Sequence, residues 1–325
     1  MPASTVTLGI LRHPLAQLRS SIAFHGLAKP MRLTSSRDVI AEFLSKPKVY
    51  DARAKFTGGS LKCKPTLYPS FTRNEMAYHF GYVQQSNNSL ERITRFIETI
   101  DESIDLMLIL EQFDESMILL KRMFHWSMQD IASLTLNNLA SRGKKPVRSS
   151  HGNEEELIQK HKKWSTADYH MYEYFAQKLN NTLSAQSADF FEEVDRYRQI
   201  KLDIRNHCKQ LCDLAHFNKI KVLIQPAKAR DYLQSNVINI TRSTWNEGFQ
   251  ISHIDCLALA LGTQQYHAAV NTKQVVKNCS TGLQNQSNLP RCSDDKAKYI
   301  VYTFQWSTVK AFLLKSPTVC RKYFE

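Results

Sequence analysis

The sequence predicts an α/β domain built on a parallel sheet, and three observations lead there. Two short apolar runs rich in β-branched and aliphatic residues, 5–11 (TVTLGIL) and 104–110, have the length of buried strands. The stretches between and after them carry helical periodicity, and strand, helix, helix, strand, helix is the order of a parallel α/β sheet. With 42% hydrophobic residues in 325, the chain can fill a real core. No apolar run approaches the ~20 residues that cross a bilayer, and no charged-then-apolar leader opens the chain, so it reads as a soluble polypeptide.

After the first strand, Arg12-His13-Pro14 places a proline where a helix can begin. That helix runs to about Phe24 and ends near Gly26, where a left-handed cap is cheap. Ser35-x-x-Asp38 opens the periodic segment VIAEFL, which stops before Pro47. Gly58-Gly59, Pro65 and Pro69 make residues 51–70 a long loop. A short helix over 74–82 follows, then one over 89–102 with its stripe at Leu90, Ile93, Phe96, Ile97 and Ile100. The second strand leads into a helix opened by Asp114.

From 127 to 212 the pattern is almost wholly helical, with a cap-like Ser127-x-x-Asp130 and a basic polar linker over 142–152. Trp164, Tyr169, Tyr172 and Phe175 read as packing residues, with Tyr172, Phe175 and Leu179 on one face. Nothing beyond residue 215 sustains a period. The expected division is therefore a domain over 1–214 and an irregular extension over 215–325.

The net charge of +13 is uneven: residues 1–73 carry +9 of it. Such a field attracts phosphate-bearing small molecules, nucleic acid, sulfated glycans or anionic lipid, and it is equally the signature of a merely soluble basic surface. No nucleic-acid-binding motif is present, so no nucleic-acid partner is expected. Seven scattered cysteines without a CxxC pair argue against a metal site, and their odd number forbids complete internal pairing, so no bridge is assigned. Five Asn-x-Ser/Thr triplets, at Asn87, Asn180, Asn239, Asn278 and Asn285, tilt the chain toward a secretory lumen. His79, His125 and His170 read as packed or exposed rather than catalytic.

The sharpest local signal is Arg12, set directly after a strand, with Ser20 eight residues on. An arginine at the carboxyl end of a parallel strand faces the crevice where such sheets bind ligands. A guanidinium grips a phosphate bidentately, and a hydroxyl two helical turns on reaches the same anion. The pair suits a phosphate monoester such as a nucleotide 3′-phosphate.

Four blocks, in order, resemble the galactose-3-O-sulfotransferase family. Ile10-Leu11-Arg12-His13-Pro14 with Ser20 is similar to its motif for the 3′-phosphate of the sulfate donor PAPS, with His13 where Asp is commoner. The second block is Phe71-Thr72-Arg73-Asn74-Glu75-Met76, and the third is Leu110-Glu111-Gln112-Phe113-Asp114-Glu115-Ser116 with the leucine-rich run after it. The fourth is Trp164-Ser165-Thr166-Ala167-Asp168 followed by Tyr172 and Phe175.

The resemblance covers about residues 5–212. It implies a P-loop-NTPase-like sulfotransferase fold, N-terminally incomplete, with a helical C-terminal part. It also implies transfer of sulfate from PAPS to the 3-hydroxyl of galactose on glycolipids or glycoproteins, at the luminal side of the Golgi membrane. Arg12 and Ser20 would bind the donor; Arg73, Asn74, Asp114 and Glu115 would line the acceptor pocket; no metal is implied.

Family members also carry a signal anchor, which attaches them to the membrane, and a glycine-containing loop for the 5′-phosphosulfate. Neither pattern occurs here: Gly58-Gly59 follows no strand and lacks Lys-x-Gly-Ser/Thr. Catalytic residues are therefore unassigned, and a non-catalytic paralogue that binds nucleotide or sulfated glycan is the alternative the sequence leaves open.

Overall fold

In a computed structural model, residues 5–35, 38–57, 70–83, 89–134, 154–216 and 235–259 are described. β1 (Leu8–Leu11) and β2 (Leu106–Ile109) pair in parallel, from Leu8 opposite Leu106 to Leu11 opposite Ile109. The predicted parallel sheet is present, with strands shorter than the apolar runs. Gly9 leaves room for its neighbours' side chains: a Cβ there would lie 2.6 Å from the Met107 Sδ and 3.1 Å from Phe80 Cε1. No helix among the described residues is long and apolar enough to cross a membrane.

The helices begin and end for identifiable reasons. α1 (Pro14–Phe24) starts on its proline and buries Pro14, Leu15, Leu18, Ser21 and Ile22. It ends where Gly26 adopts φ 63° and the Leu27 N–H donates to the Ile22 carbonyl at 3.0 Å, a left-handed terminus that glycine takes without strain. After α2 (Ala28–Met31), α3 (Val39–Ser45) opens on Asp38, whose carboxylate accepts the N–H groups of Ile40 and Ala41 at 3.1 and 2.9 Å.

The expected loop over 51–70 is corrected at its start: α4 (Pro47–Thr57) continues through residue 57. Pro47 supplies a first helical residue instead of ending the region. Asp51 is buried because the hydroxyls of Ser70 and Thr72 donate to it, the second at 2.8 Å. Residues 58–69 lie outside the described residues, as does the predicted linker over 142–152.

α5 (Glu75–His79) and α6 (Leu90–Ser103) follow; Ser89 caps α6, whose stripe of Ile93, Ile97 and Ile100 is buried. A 3₁₀ turn (Leu110–Gln112) links β2 to α7 (Phe113–Phe124). α8 (Glu154–Trp164), α9 (Thr166–Ser184) and α10 (Ala188–His216) come next.

The chain divides into two compact units, one of Met1–Leu120 with Pro146–Glu192 and one of Lys121–Lys145 with Glu193–Glu325. The core of the first is Leu15, Leu18, Ile22, Leu27, Met31, Ile40, Phe43, Leu44 and Leu157, with Trp164 packed against it. Arg19 on α1 and Glu154 on α8 form a two-pronged ion pair, both N···O distances 2.7 Å.

In the second unit, α10 buries Val194, Tyr197, Ile200, Ile204 and Cys208 at helical spacing. The Tyr197 hydroxyl donates to the Ile131 carbonyl at 3.0 Å, and the buried Glu193 carboxylate pairs with Lys121 and Arg122. Ser127 and Asp130 exchange the predicted capping bonds, but turns rather than a helix follow them. Within the segment expected to be irregular, residues 235–259 take regular structure. β3 (Val237–Ile240) pairs antiparallel with β4 (Phe249–Ser252), and α11 (His253–Leu259) follows. Strands of four residues are too short to show a period. A disulfide joins Cys208 to Cys256, closing a separation of 48 residues that spacing alone could not assign.

Candidate functional site

Arg12 follows the last residue of β1, at the end of the sheet where both parallel strands terminate. Its side chain is half-buried and makes no ion pair or hydrogen bond with the described residues. Ser20 stands half-exposed on α1, flanking the buried stripe, about 9 Å along the helix from Pro14 at 1.5 Å per residue. Arg19 beside it is already occupied by Glu154.

The turn that presents Arg12 is held from across the sheet. His13 occupies the N-cap position of α1 but offers no side-chain cap. Its N–H donates to Glu111 Oε1 at 3.0 Å, and the Tyr172 hydroxyl of α9 donates to Glu111 Oε2 at 3.3 Å. The His13 ring meets Tyr169 and Tyr172 edge-on, with centroids 5.9 and 5.4 Å away. Burial lowers the His13 pKa and leaves the imidazole neutral at pH 7. Burial and the neighbouring Glu111 carboxylate push the Tyr172 phenol up to about 12, so it stays a donor.

A second polar cluster lies where α5 meets α9. The Arg73 guanidinium covers the Trp164 ring at 4.8 Å and donates through Nε to the Trp164 carbonyl at 3.3 Å. Asn74 is buried in the left-handed region, φ 51°. Its N–H donates to Ser165 Oγ at 2.7 Å, and its side-chain oxygen accepts the N–H groups of Ala167 and Asp168 at 3.0 and 3.4 Å. In return Asp168 accepts the Ala77 N–H at 2.8 Å and the Ser165 hydroxyl at 3.1 Å. Each helix start is thus capped by a side chain from the other. Burial pushes the Asp168 carboxyl up to about 7, against the donors that pull it down. Burial raises Glu75 as well, beside the Gln17 amide that donates to it at 3.1 Å.

Asp114 and Glu115 lie half-buried in the first turn of α7, where acids complement the helix dipole; Ser116 after them is fully buried. The structure therefore sets Arg12 at the sheet end, Ser20 two turns along α1, and Arg73 and Asn74 against the start of α9. Asp168 and Tyr172, one turn apart on α9, serve one cluster each. Sequence reasoning gave Glu111, Ser165 and Asp168 no role. The available signals were an acid immediately after a predicted strand and the capping pattern Ser165-x-x-Asp168.

Two parallel strands flanked by helices define an α/β protein, a class that binds its ligands in the crevice past the carboxyl ends of its strands, and Arg12 stands at that end. The galactose-3-O-sulfotransferase family model matches residues 1–274, and the chain belongs to that family. Among curated relatives, galactose-3-O-sulfotransferase 2 of Mus musculus is 27% identical over 214 residues, covering 65% of this chain and 49% of that protein. Galactosylceramide sulfotransferase of Mus musculus is 27% identical over 203 residues, 61% of this chain and 44% of that one. Galactose-3-O-sulfotransferase 2 of Sus scrofa is 28% identical over 279 residues, 84% and 64% respectively. The chain thus spans about half the length of the first of these relatives. No solved structure matches it.

Proposed function

We propose that this protein acts in transfer of a sulfuryl group from PAPS to the 3-hydroxyl of a galactose on a glycolipid or glycoprotein, with Arg12 and Ser20 anchoring the donor's 3′-phosphate. In that reaction the bond from sulfur to the phosphate oxygen breaks and a bond to the sugar oxygen forms. The hydroxyl proton leaves to a base, and adenosine 3′,5′-bisphosphate departs. The contribution of Arg12 and Ser20 is to hold the far end of the donor, so that binding energy orients the reacting end. On the acceptor side we place Arg73, Asp114 and Glu115, groups that suit sugar hydroxyls, with Asn74 fixing the turn that carries Arg73. Family membership supports a sheet of P-loop-NTPase type and a site of action at the luminal face of the Golgi membrane.

One observation carries the reading: a half-buried guanidinium at the sheet end, without an ion pair among the described residues, beside a helix that offers Ser20. A partly buried guanidinium at the ligand-binding end of a sheet is suited to an anionic partner, and a phosphate supplies one. The test is calorimetric titration with adenosine 3′,5′-bisphosphate and with adenosine 5′-monophosphate. Arg12→Ala is expected to weaken the bisphosphate about 30-fold, from the loss of charge-assisted bonds, and to leave the monophosphate unaffected. Equal affinity of Arg12→Ala and the parent protein for the bisphosphate would overturn the assignment. Sulfate transfer from PAPS to lactosylceramide tests the activity itself.

A further inference from the structure

We propose that Glu111 is a positioning residue for the anion site, holding the Arg12–His13 turn in register from across the sheet; this rests on the reading that Arg12 grips a phosphate. The two ends of the parallel strands carry different pieces: β1 delivers Arg12, and the 3₁₀ turn after β2 delivers Glu111. The backbone between β1 and α1 has no cap of its own, because His13 sits at the N-cap without a side-chain bond. Glu111, 98 positions away in sequence, instead fixes the N-cap residue itself, accepting the His13 N–H at 3.0 Å. Its other oxygen takes the Tyr172 hydroxyl at 3.3 Å, so the carboxylate joins the Arg12 turn to α9 with both oxygens engaged. The His13 ring, edge-on against Tyr169 and Tyr172, packs the same junction.

Bidentate recognition depends on where the guanidinium's own backbone stands, and displacement by about 1 Å is enough to lose it. A second effect of Glu111 has the opposite sign. A carboxylate near an anion site repels the ligand, so its removal by itself tightens binding. The direction of the change in affinity therefore decides between a positioning group and a mere neighbouring charge.

Calorimetric titration with adenosine 3′,5′-bisphosphate makes the test. Glu111→Ala is expected to weaken binding about tenfold, whereas Glu111→Gln, which keeps an acceptor for the His13 N–H, weakens it only about threefold. Tyr172→Phe, which leaves the Glu111 carboxylate in place, is also expected to cost about threefold, and it remains informative if Glu111→Ala fails to fold. In an Arg12→Ala background, Glu111→Ala is expected to weaken binding no further, a result that general loss of structure would not produce. Unchanged or tighter binding in Glu111→Ala overturns the proposal, and so does an undiminished loss when Arg12 is already absent. If Arg12→Ala alone leaves affinity unchanged, the anion-site reading fails instead, and the two failures are told apart by which variant is silent.

Discussion

The sheet end around Arg12 and the α5–α9 junction around Asn74 are both polar, and they differ in what their side chains have left to offer. At the junction, the Asn74 oxygen takes two amide hydrogens and Asp168 takes an amide and a hydroxyl, all within the protein. At the sheet end, both Glu111 oxygens are engaged, while Arg12 has no ion pair or hydrogen bond among the described residues. A count of charged and amide groups would rank the two places alike. Accounting for their hydrogen bonds separates a joint whose polar groups are used within the fold from the sheet end, where we place the donor's phosphate.

The largest expected effect tests whether the junction is such a joint. Asp168→Ala leaves the buried Ala77 N–H without its acceptor and the Ser165 hydroxyl without its own, and should cost about 2–4 kcal/mol of stability. Denaturant unfolding measures the loss, and amide exchange at Ala77 localises it. The pH dependence has a definite sign. The folded carboxyl titrates at about 7, above its ordinary 3.8. The stability it confers is therefore complete below 3.8 and declines as pH rises through 7. Asp168→Asn, neutral throughout, should flatten that decline. An Asp168→Ala protein of parental stability would erase the distinction between the two regions.

How far the sequence disclosed this arrangement depends on the range of the interactions. Elements governed by local chemistry were legible: Pro14 starting α1, Gly26 ending it, Asp38 and Ser89 opening α3 and α6. α4 was obscured because Pro47 can stop one helix and start another, and because the bonds from Ser70 and Thr72 to Asp51 cross the gap between them. In the site, Arg12 stood out by following a strand. Glu111 did not, since its partners lie 98 and 61 residues away, a separation no local pattern encodes. The same holds for the bond from Ala77 to Asp168 and for the Cys208–Cys256 disulfide.

A smaller effect sharpens the comparison from within the junction. Asn74 caps α9 and adopts φ 51°, a conformation asparagine tolerates better than alanine does. Asn74→Ala should cost about 2 kcal/mol, and Asn74→Gly about 1 kcal/mol less than that, because glycine removes the strain but not the loss of the cap. Chemical denaturation of the two variants gives the difference. A rise in KM for the galactose acceptor at unchanged stability would instead make Asn74 a ligand-facing residue and shift the boundary between joint and site.

The smallest expected effect is at Ser20, where two consequences of one substitution run in opposite directions. Ser20 lies in the interior of α1, half-exposed and without a hydrogen-bond partner among the described residues. Serine is a poorer helix former than alanine, so Ser20→Ala should stabilise the first unit by about 0.5 kcal/mol. The same change removes a hydroxyl from the proposed phosphate grip and should weaken adenosine 3′,5′-bisphosphate about tenfold, the low end for a hydrogen bond to a charged group. A residue kept only for the fold cannot show both. Higher stability with unaltered affinity would leave Arg12 alone at the sheet end and reduce the grip to one side chain. Higher stability with weaker binding identifies a position where the helix gives up stability to its ligand, the reverse of the arrangement at Asn74.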